Sequence, residues 1–251
     1  MSFELGPLAA GPPPPVIPNY GGPPGGSHGC IARNGTFCWD WVKGHWGDIL
    51  QPRLLEHLEL TVIAVGIGFA IAFAAALLAH RRRWFETPFS TFSAFLYTIP
   101  SLALFQLLVP FTGLTMVTIE IGLVGYTLLI LFRNILEGLR CVPGDVLEAA
   151  HGMGLTGRQI LLRIELPLAL PAISAGLRIA VVTTISLATV AAYITPLGLG
   201  QPIFYGLATD FTTEFVATAA LAIALAIVAD GLLVLAQRML TPWARARRRT
   251  A

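Results

Sequence analysis

Three ionisable side chains lie inside long apolar stretches of the sequence: Glu120, Arg178 and Asp230. Charged groups are costly in lipid, so such residues usually face a cavity or one another and mark functional positions. Arg178 and Asp230 each lie roughly eight to ten residues from one end of an apolar stretch, so at ~1.5 Å per residue they can share one depth. We predict an ion pair between them, which either fixes helix packing or takes a direct part in function.

Glu120 lies nearer the other side of the apolar layer, where a carboxylate could attract a cationic group. Aromatic rings supply the complementary cation–π faces for such a group. The sequence offers four candidate rings, Tyr97, Tyr126, Tyr193 and Phe204. Ordinary aromatic packing is the alternative interpretation of the same residues.

Catalytic chemistry has no visible basis in this sequence. The five histidines show no metal-ligand spacing, and no Ser/His/Asp grouping emerges. A phosphate-binding P-loop ends in Gly-Lys-Ser/Thr, whereas the only lysine, Lys43, is followed by Gly44 and His45. We therefore expect no enzymatic activity, no metal and no cofactor in the chain itself.

The composition is typical of a membrane protein. Of 251 residues, 55% are hydrophobic and only 12% are charged, against about 25% charged in soluble domains. A net charge of +2 is too small to suggest nucleic-acid binding. Five segments reach the roughly 20 apolar residues that cross a bilayer: residues 58–79, 88–110, 116–136, 168–194 and 215–238. The fold class is therefore all-α with five spans.

Pro100 interrupts the second of these segments, in the sequence TIPS. A proline inside a helix removes a backbone donor and clashes with the preceding turn, so it kinks or breaks the helix. We predict a kink at this point, repaired by neighbouring helices.

Basic residues alternate between the loops and predict the orientation of the spans. Arginines follow the first, third and fifth spans, and the loops after the second and fourth spans contain neither Lys nor Arg. Short cytoplasmic loops retain Lys and Arg. The N-terminus is therefore predicted outside and the C-terminus in the cytoplasm.

The chain divides into three predicted regions. Residues 1–54 form an extracytoplasmic Pro/Gly-rich tail followed by a Cys/Trp segment, residues 55–240 form the transmembrane domain, and residues 241–251 form a basic cytoplasmic tail. Cys30 and Cys38 lie outside, where oxidation is allowed, so they form either a small disulfide loop or free thiols.

Three tryptophans share the outer segment: Trp39, Trp41 and Trp46. They either form an interfacial aromatic belt or lie on an amphipathic helix at the membrane surface.

The loop at about residues 140–167 has the pattern of a polar helical hairpin. Asp145 is a good N-cap, and Glu148 three residues later completes a capping pattern. The helix is expected to loosen at Gly152 and Gly154, turn, and resume before the fourth span. These small residues suit either a plain connection or a helix that docks on a partner.

The same loop carries a longer pattern: E-A-A, three residues, G, nine residues, I, one residue, L-P. It is formed by Glu148-Ala149-Ala150, Gly154, Ile164 and Leu166-Pro167, and it resembles the cytoplasmic signature of bacterial ABC importer permeases. The resemblance implies a type I importer fold in which this segment is a coupling helix seated on an ATPase subunit. The coupling residues would be Glu148, Ala149, Ala150, Gly152, Gly154 and Leu155.

Further stretches narrow the resemblance. TIPSLALF at 98–105, GMG at 152–154, ELPLALPAISAGLR at 165–178 and GLGQPIF at 198–204 are similar to permeases for glycine betaine, choline, carnitine or proline. The similarity runs from about residue 56 to residue 238. YITPLGLG at 193–200 departs from it, because Thr195 and Pro196 stand where the family usually has Gly and Ala.

The resemblance implies an ATP-driven importer in the bacterial plasma membrane. Its implied partners are two ATPase subunits that hold ATP and Mg²⁺, a second permease subunit of the same or a related chain, and an external solute-binding protein. We expect seven residues to line the translocation pathway or to pack within the membrane: Tyr97, Pro100, Glu120, Tyr126, Arg178, Tyr193 and Asp230.

Two alternatives stay open at this point. The chain could be an ABC permease for another small solute, such as methionine or a sulfonate. A secondary transporter or channel is the alternative from another class, and it predicts inverted repeats and more polar residues at the midplane. Neither feature is visible in the sequence.

Overall fold

The computed structural model describes residues 28–32 and 34–242, and helices dominate this part of the chain. In chain order they are α1 (His28–Ala32), α2 (Trp39–Gly44), α3 (Gln51–Arg81), α4 (Arg83–Thr98), α5 (Ser101–Thr112), α6 (Met116–Arg140), α7 (Gly144–Gly152), α8 (Gly157–Ile160), α9 (Leu166–Ala191), α10 (Gly200–Ala208) and α11 (Thr212–Leu240). Two π-helical turns, Trp46–Leu50 and Leu161–Glu165, lead directly into α3 and α9. The predicted Pro/Gly-rich tail and nearly all of the basic tail lie outside the described residues.

Four helical stretches among these residues are long and apolar enough to cross a membrane: Trp46–Arg81, Met116–Arg140, Gly157–Ala191 and Thr212–Leu240. The shortest has 25 residues, which at ~1.5 Å per residue exceeds the ~30 Å hydrocarbon core. Four predicted spans are thus confirmed. The helices extend past the apolar runs because polar flanking residues continue the same backbone hydrogen bonding.

The remaining predicted span is a pair of helices, α4 and α5. The direction of the chain bends by 101° at the break between them. The break lies at Ile99 and Pro100, as predicted, but the bend is far larger than a kink. Pro100 has extended backbone and Ile99 precedes it in the β region, as residues before proline prefer. The Tyr126 hydroxyl donates to the Ile99 carbonyl, which the break leaves without a helical partner. The count of five spans holds when this bent pair is taken as one.

α6 lies at the centre of the bundle and packs against α3, α4, α5 and α9. Glycines allow the close approach. A Cβ atom added to Gly68 of α3 would lie 1.9 Å from the Thr127 hydroxyl, and one added to Gly176 of α9 would lie 2.4 Å from Asn134. Small residues are the usual means of close helix packing in membranes, where the apolar surroundings give no hydrophobic drive for association.

The two ends of the bundle differ. The α7–α8 hairpin lies at one end, here called the hairpin end, and the Cys30–Cys38 loop lies at the other, the disulfide end. At the hairpin end, Arg140 of α6 makes a two-bond ion pair with Glu86 of α4, at 2.6 and 2.8 Å. This pair fixes the start of α4 beside the end of α6.

Residues 196–214 were predicted to be a loop between the fourth and fifth spans, and this was wrong for its middle part. Residues Gly200–Ala208 form α10, which packs on α9 and α11. Its start is tightly constrained, since a Cβ atom on Gly200 would lie 2.1 Å from the Thr189 carbonyl oxygen. Periodicity could not reveal α10 because a nine-residue helix spans only two to three turns.

Cys30 and Cys38 form a disulfide. Of the two alternatives that the sequence allowed, a disulfide loop or free thiols, the structure has the disulfide loop. Asn34 within that loop accepts a hydrogen bond from the Thr212 backbone N–H, at 2.9 Å. The Thr213 hydroxyl donates to the Gly35 carbonyl at 2.8 Å. The disulfide loop therefore supplies an end cap for α11 from 178 residues away in sequence.

Trp41 corrects the prediction of a shared tryptophan belt. It is only 1% exposed and packs edge-on against Phe211, with ring centroids 5.4 Å apart. Trp39 and Trp46 are exposed, as the belt prediction requires. Trp41 instead belongs to the core that holds the disulfide segment on α11.

Gly68→Val should separate α3 from α6, because its new side chain would overlap Thr127. Overpacking of this kind costs about 1–3 kcal/mol. We expect a lower melting temperature of the detergent-purified protein. Gly66→Val is the matched control, since a Cβ atom on Gly66 meets nothing within 4 Å. Equal melting temperatures for the two variants would contradict close packing at Gly68.

Candidate functional site

The α7–α8 hairpin begins at Gly144, one residue before the predicted N-cap. The N-cap position is occupied by Pro143, whose backbone is extended and whose side chain makes no cap bond, so the assignment of Asp145 as N-cap was wrong. Proline favours extended backbone at this position, so the N-cap lies two residues upstream of Asp145 and the helix starts at Gly144. Asp145 lies in the first turn, where its negative charge is stabilised by the positive N-terminal end of the helix dipole.

The end of α7 explains the glycine at position 154. Gly154 has φ +78°, its N–H bonds to the His151 carbonyl, and the Leu155 N–H bonds to the Ala150 carbonyl. These two bonds form a Schellman motif, which requires the left-handed conformation that glycine adopts without steric cost. The predicted break at Gly154 is confirmed.

α8 starts with a capping box that the sequence analysis missed. Thr156 is the N-cap, its hydroxyl accepts from the Gln159 backbone N–H, and the Gln159 side chain accepts from the Thr156 backbone N–H. The signal was present in the sequence as Thr-Gly-Arg-Gln, the S/T-x-x-E/Q spacing of a capping box. The hairpin is thus fixed at both sides of its turn.

The six predicted coupling residues do not share one environment. Glu148, Ala149, Gly152 and Gly154 are exposed, Leu155 is half-buried, and Ala150 is fully buried against the protein. Cβ atoms added to Gly152 and Gly154 would meet nothing within 4 Å, so the surface above them is open. Met153, 72% exposed, adds an apolar side chain that the prediction did not include. The hairpin therefore presents exposed small residues together with the acidic Glu148 and the apolar Met153.

The predicted ion pair inside the apolar layer is confirmed. Arg178 Nε lies 2.7 Å from Asp230 Oδ1, and Arg178 Nη2 lies 2.8 Å from Oδ2, so the contact is bidentate. A bidentate contact fixes the relative orientation of the guanidinium and the carboxylate as well as the distance between them. It joins α9 to α11 at one depth and leaves neither charge without a partner.

Glu120 contrasts with that pair. Both of its carboxylate oxygens are buried, and neither has a hydrogen-bond partner among the described residues. An unpaired polar group in a buried position is expensive and calls for a physical explanation. Glu120 is therefore an acidic group that the described residues leave free to meet a cation or a proton donor; Glu214 Oε2 is also buried and without a hydrogen-bond partner there.

The four candidate aromatic rings form two pairs. Tyr97 and Tyr126 meet edge-on at 5.8 Å, and Tyr193 and Phe204 meet edge-on at 5.6 Å. These are ordinary packing geometries, and among the described residues no ring contact joins the two pairs. Tyr126 is buried and its hydroxyl bonds to Ile99, whereas Tyr193 is 63% exposed. Tyr97 is 42% exposed, so Tyr193 is the most exposed of the three tyrosines and the ring most open to a ligand.

α3 carries a buried polar residue that no sequence pattern indicated. His57 of α3 is completely buried, and both of its ring nitrogens make hydrogen bonds to backbone groups of other elements. No sequence spacing marks a lone histidine, so only the tertiary structure reveals its partners. In residues 28–32 and 34–242, no group of three His, Cys, Asp or Glu side chains is arranged to hold a metal ion.

Arg178→Ala should leave Asp230 unpaired in an apolar layer and lower both yield and melting temperature. Asp230→Ala should do the same, and the reversed pair, Arg178→Asp with Asp230→Arg, should recover most of the loss. Arg158→Ala is the control, since Arg158 is exposed on the hairpin. The measurement is size-exclusion yield with thermal unfolding in detergent. Wild-type behaviour of Arg178→Ala would show that the pair does not stabilise the bundle.

Comparison with known proteins gives one family and one fold. The sequence model of the family described as binding-protein-dependent transport system inner membrane component matches residues 64–245. The chain is 36% identical over 198 residues to the osmoprotectant import permease protein OsmW of Salmonella typhimurium, covering 77% of this chain and 92% of that protein. It is 33% identical over 203 residues to the glycine betaine/carnitine/choline transport system permease protein OpuCB of Bacillus subtilis, covering 80% and 93%.

A solved structure shows the same fold at lower sequence identity. In an inward-facing form of the methionine ABC transporter MetNI, one chain superposes with a TM-score of 0.69 at 20% identity, covering 79% of this chain and 99% of that one. The all-α type I importer permease fold is thus confirmed. This chain belongs to the binding-protein-dependent transport system inner membrane components.

Proposed function

We propose that this chain is the permease subunit of an ATP-driven importer for osmoprotectants: glycine betaine, choline, carnitine or proline. The observation that carries the proposal is the 36% identity to OsmW along 92% of that permease. OpuCB, similar over nearly its whole length, is named for glycine betaine, carnitine and choline. Those three solutes share a quaternary ammonium group, so a common recognition chemistry is expected.

ATP hydrolysis belongs to separate subunits in this proposal. The sequence has no Gly-Lys-Ser/Thr motif with which to hold ATP phosphates. Two ATPase subunits would bind ATP and Mg²⁺, and their closure would move the α7–α8 hairpin. The exposed surface formed by Glu148, Ala149, Gly152 and Gly154 supports docking because small side chains permit close approach. Glu148 is suited to pair with an arginine of the ATPase.

A second permease subunit and an external solute-binding protein complete the proposed complex. The hairpin end would face the cytoplasm, and the disulfide end would face the outside, where the disulfide can persist. This orientation agrees with the arginines that follow α3, α6 and α11.

The translocation pathway would use groups that the fold leaves uncommitted. Arg178 and Asp230 neutralise each other, which supports a packing role for that pair. Glu120 has no such partner in the described residues, and Tyr193 has an open ring face. These two residues are our candidates for contact with a quaternary ammonium group, through charge and cation–π attraction.

Tyr97, Tyr126 and Pro100 take supporting positions in this proposal. Pro100 creates the break between α4 and α5, and Tyr126 satisfies the carbonyl at that break while packing on Tyr97. The three residues would hold the bend beside the pathway.

Transport by the complete complex tests the proposed substrate class. The permease would be reconstituted with its ATPase and binding-protein partners in vesicles, and uptake of radiolabelled choline, carnitine, glycine betaine and proline would be measured with and without ATP. We expect ATP-dependent uptake of at least one of them. Methionine is the comparison solute. Uptake of methionine alone would overturn the substrate class while leaving the importer role intact.

Ala149→Phe tests the docking surface on the hairpin. Ala149 is exposed, so the larger side chain should fit the isolated permease but block close approach of an ATPase. We expect an unchanged melting temperature, loss of ATPase co-purification, and uptake reduced by more than about tenfold, the factor given by ~1.4 kcal/mol of lost binding. Ala149→Ser, which keeps the side chain small, should match wild type. Full ATPase association of Ala149→Phe would place the docking surface elsewhere.

A further inference from the structure

The loop between α9 and α10, residues 192–199, lies at the disulfide end and is here called the outer loop. Hydrogen bonds from its backbone reach the first turns of α3. The Leu199 N–H lies 3.2 Å from His57 Nδ1, and the Gly198 N–H lies 3.1 Å from Glu56 Oε2. The loop is therefore held by groups that precede it by 142 residues in sequence.

The partners of His57 define its chemical state. Its Nε2 lies 3.0 Å from the Ile185 carbonyl oxygen, which can only accept a hydrogen bond. Its Nδ1 faces the Leu199 backbone N–H, which can only donate. The imidazole is therefore neutral, with its proton on Nε2 and its lone pair on Nδ1. In this form one side chain connects α3, the C-terminal part of α9 and the outer loop.

Glu56 and Arg53 extend the same attachment. Arg53 Nη1 lies 2.8 Å from Glu56 Oε2 and 3.1 Å from the Pro196 carbonyl oxygen. Each contact with the outer loop uses a backbone group of Pro196, Gly198 or Leu199. The attachment therefore fixes the path of the loop rather than the identity of its side chains.

Gly198 shows how closely the loop fits against His57. Its φ is +61°, and an added Cβ atom would lie 2.8 Å from His57 Nδ1. Both the backbone conformation and the contact exclude a larger residue without a shift of the loop. The turn at Gly198 therefore lies so close to the imidazole that it leaves no room for a side chain.

The outer loop carries Tyr193, whose ring is largely exposed and meets Phe204 of α10 edge-on. Tyr193 follows the end of α9 by two residues, and α10 begins one residue after Leu199. A loop attached at residues 196–199 leaves its open ring at a fixed place at the disulfide end. Loss of the attachment would let that ring move relative to α3.

We propose that His57 is a positioning residue of the importer: as a neutral imidazole it holds the outer loop on α3 and α9 and so fixes Tyr193 where the solute passes. This inference rests on the proposed function, because it concerns solute passage. His57 does not touch solute in it and acts through the loop. Glu56 and Arg53 act with it at the same attachment.

The test measures uptake kinetics in vesicles holding the complete importer, with the solute that the wild-type complex transports best. His57→Phe keeps a planar ring but removes both hydrogen bonds. We expect its KM for solute to rise by about tenfold, the factor that ~1.4 kcal/mol corresponds to, while kcat falls less. His57→Gln retains a donor and an acceptor and should recover much of the wild-type KM. A purely structural defect would instead lower the amount of active protein and leave KM unchanged.

His80→Phe is the matched control. His80 lies on the same helix at the hairpin end, where its Nε2 is 3.3 Å from Glu165 Oε1, so its loss should leave KM unchanged. If His57→Phe does not fold, Glu56→Ala serves instead, because Glu56 is half-buried and holds the same loop. A wild-type KM in whichever of these two variants is assayed overturns the inference. Absence of uptake by the wild-type complex would overturn the proposed function instead.

Discussion

The close approach of α6 to its neighbours is the constraint on which the rest of this structure depends. In lipid, burying one apolar surface against another gains little, so helices associate through fitted contacts and backbone proximity. Gly68 admits Thr127, Gly122 admits the Phe105 ring, and Gly176 admits Asn134, in each case at a distance that a Cβ atom would exclude. Three helices are thereby held on one central helix. α6 ends at Arg140, and α7 begins four residues later, so the hairpin is joined directly to this centre.

The two ends of the bundle are built differently, and the difference matches their proposed tasks. The hairpin end is shaped by local signals, a Schellman motif and a capping box, which make a rigid exposed element. The disulfide end is shaped by long-range bonds: Asn34 caps α11, and His57 and Glu56 hold the outer loop. A well-fixed helical hairpin suits coupling to an ATPase subunit. A loop whose path is set by distant residues suits a solute entrance.

The features predicted from the sequence are those with local causes. Runs of about 20 apolar residues predict four of the spans, and Pro100 predicts the break in the fifth. The cost of isolated charges in lipid predicts the Arg178–Asp230 pair. The 101° bend, α10, and the burial of Trp41 and His57 were not predicted. They depend on which helices meet in space, and no periodicity records that. Asp145 failed as N-cap because Pro143 had already set the helix start.

The central claim is that this chain works as the membrane part of an ATP-driven complex, and the subunits bound to it test that most directly. The tagged protein would be purified from its own membranes, and the intact complex would be weighed by native mass spectrometry. The account predicts two permease and two ATPase subunits in one particle. A particle that contains this chain and transports solute without any ATP-binding subunit would contradict it.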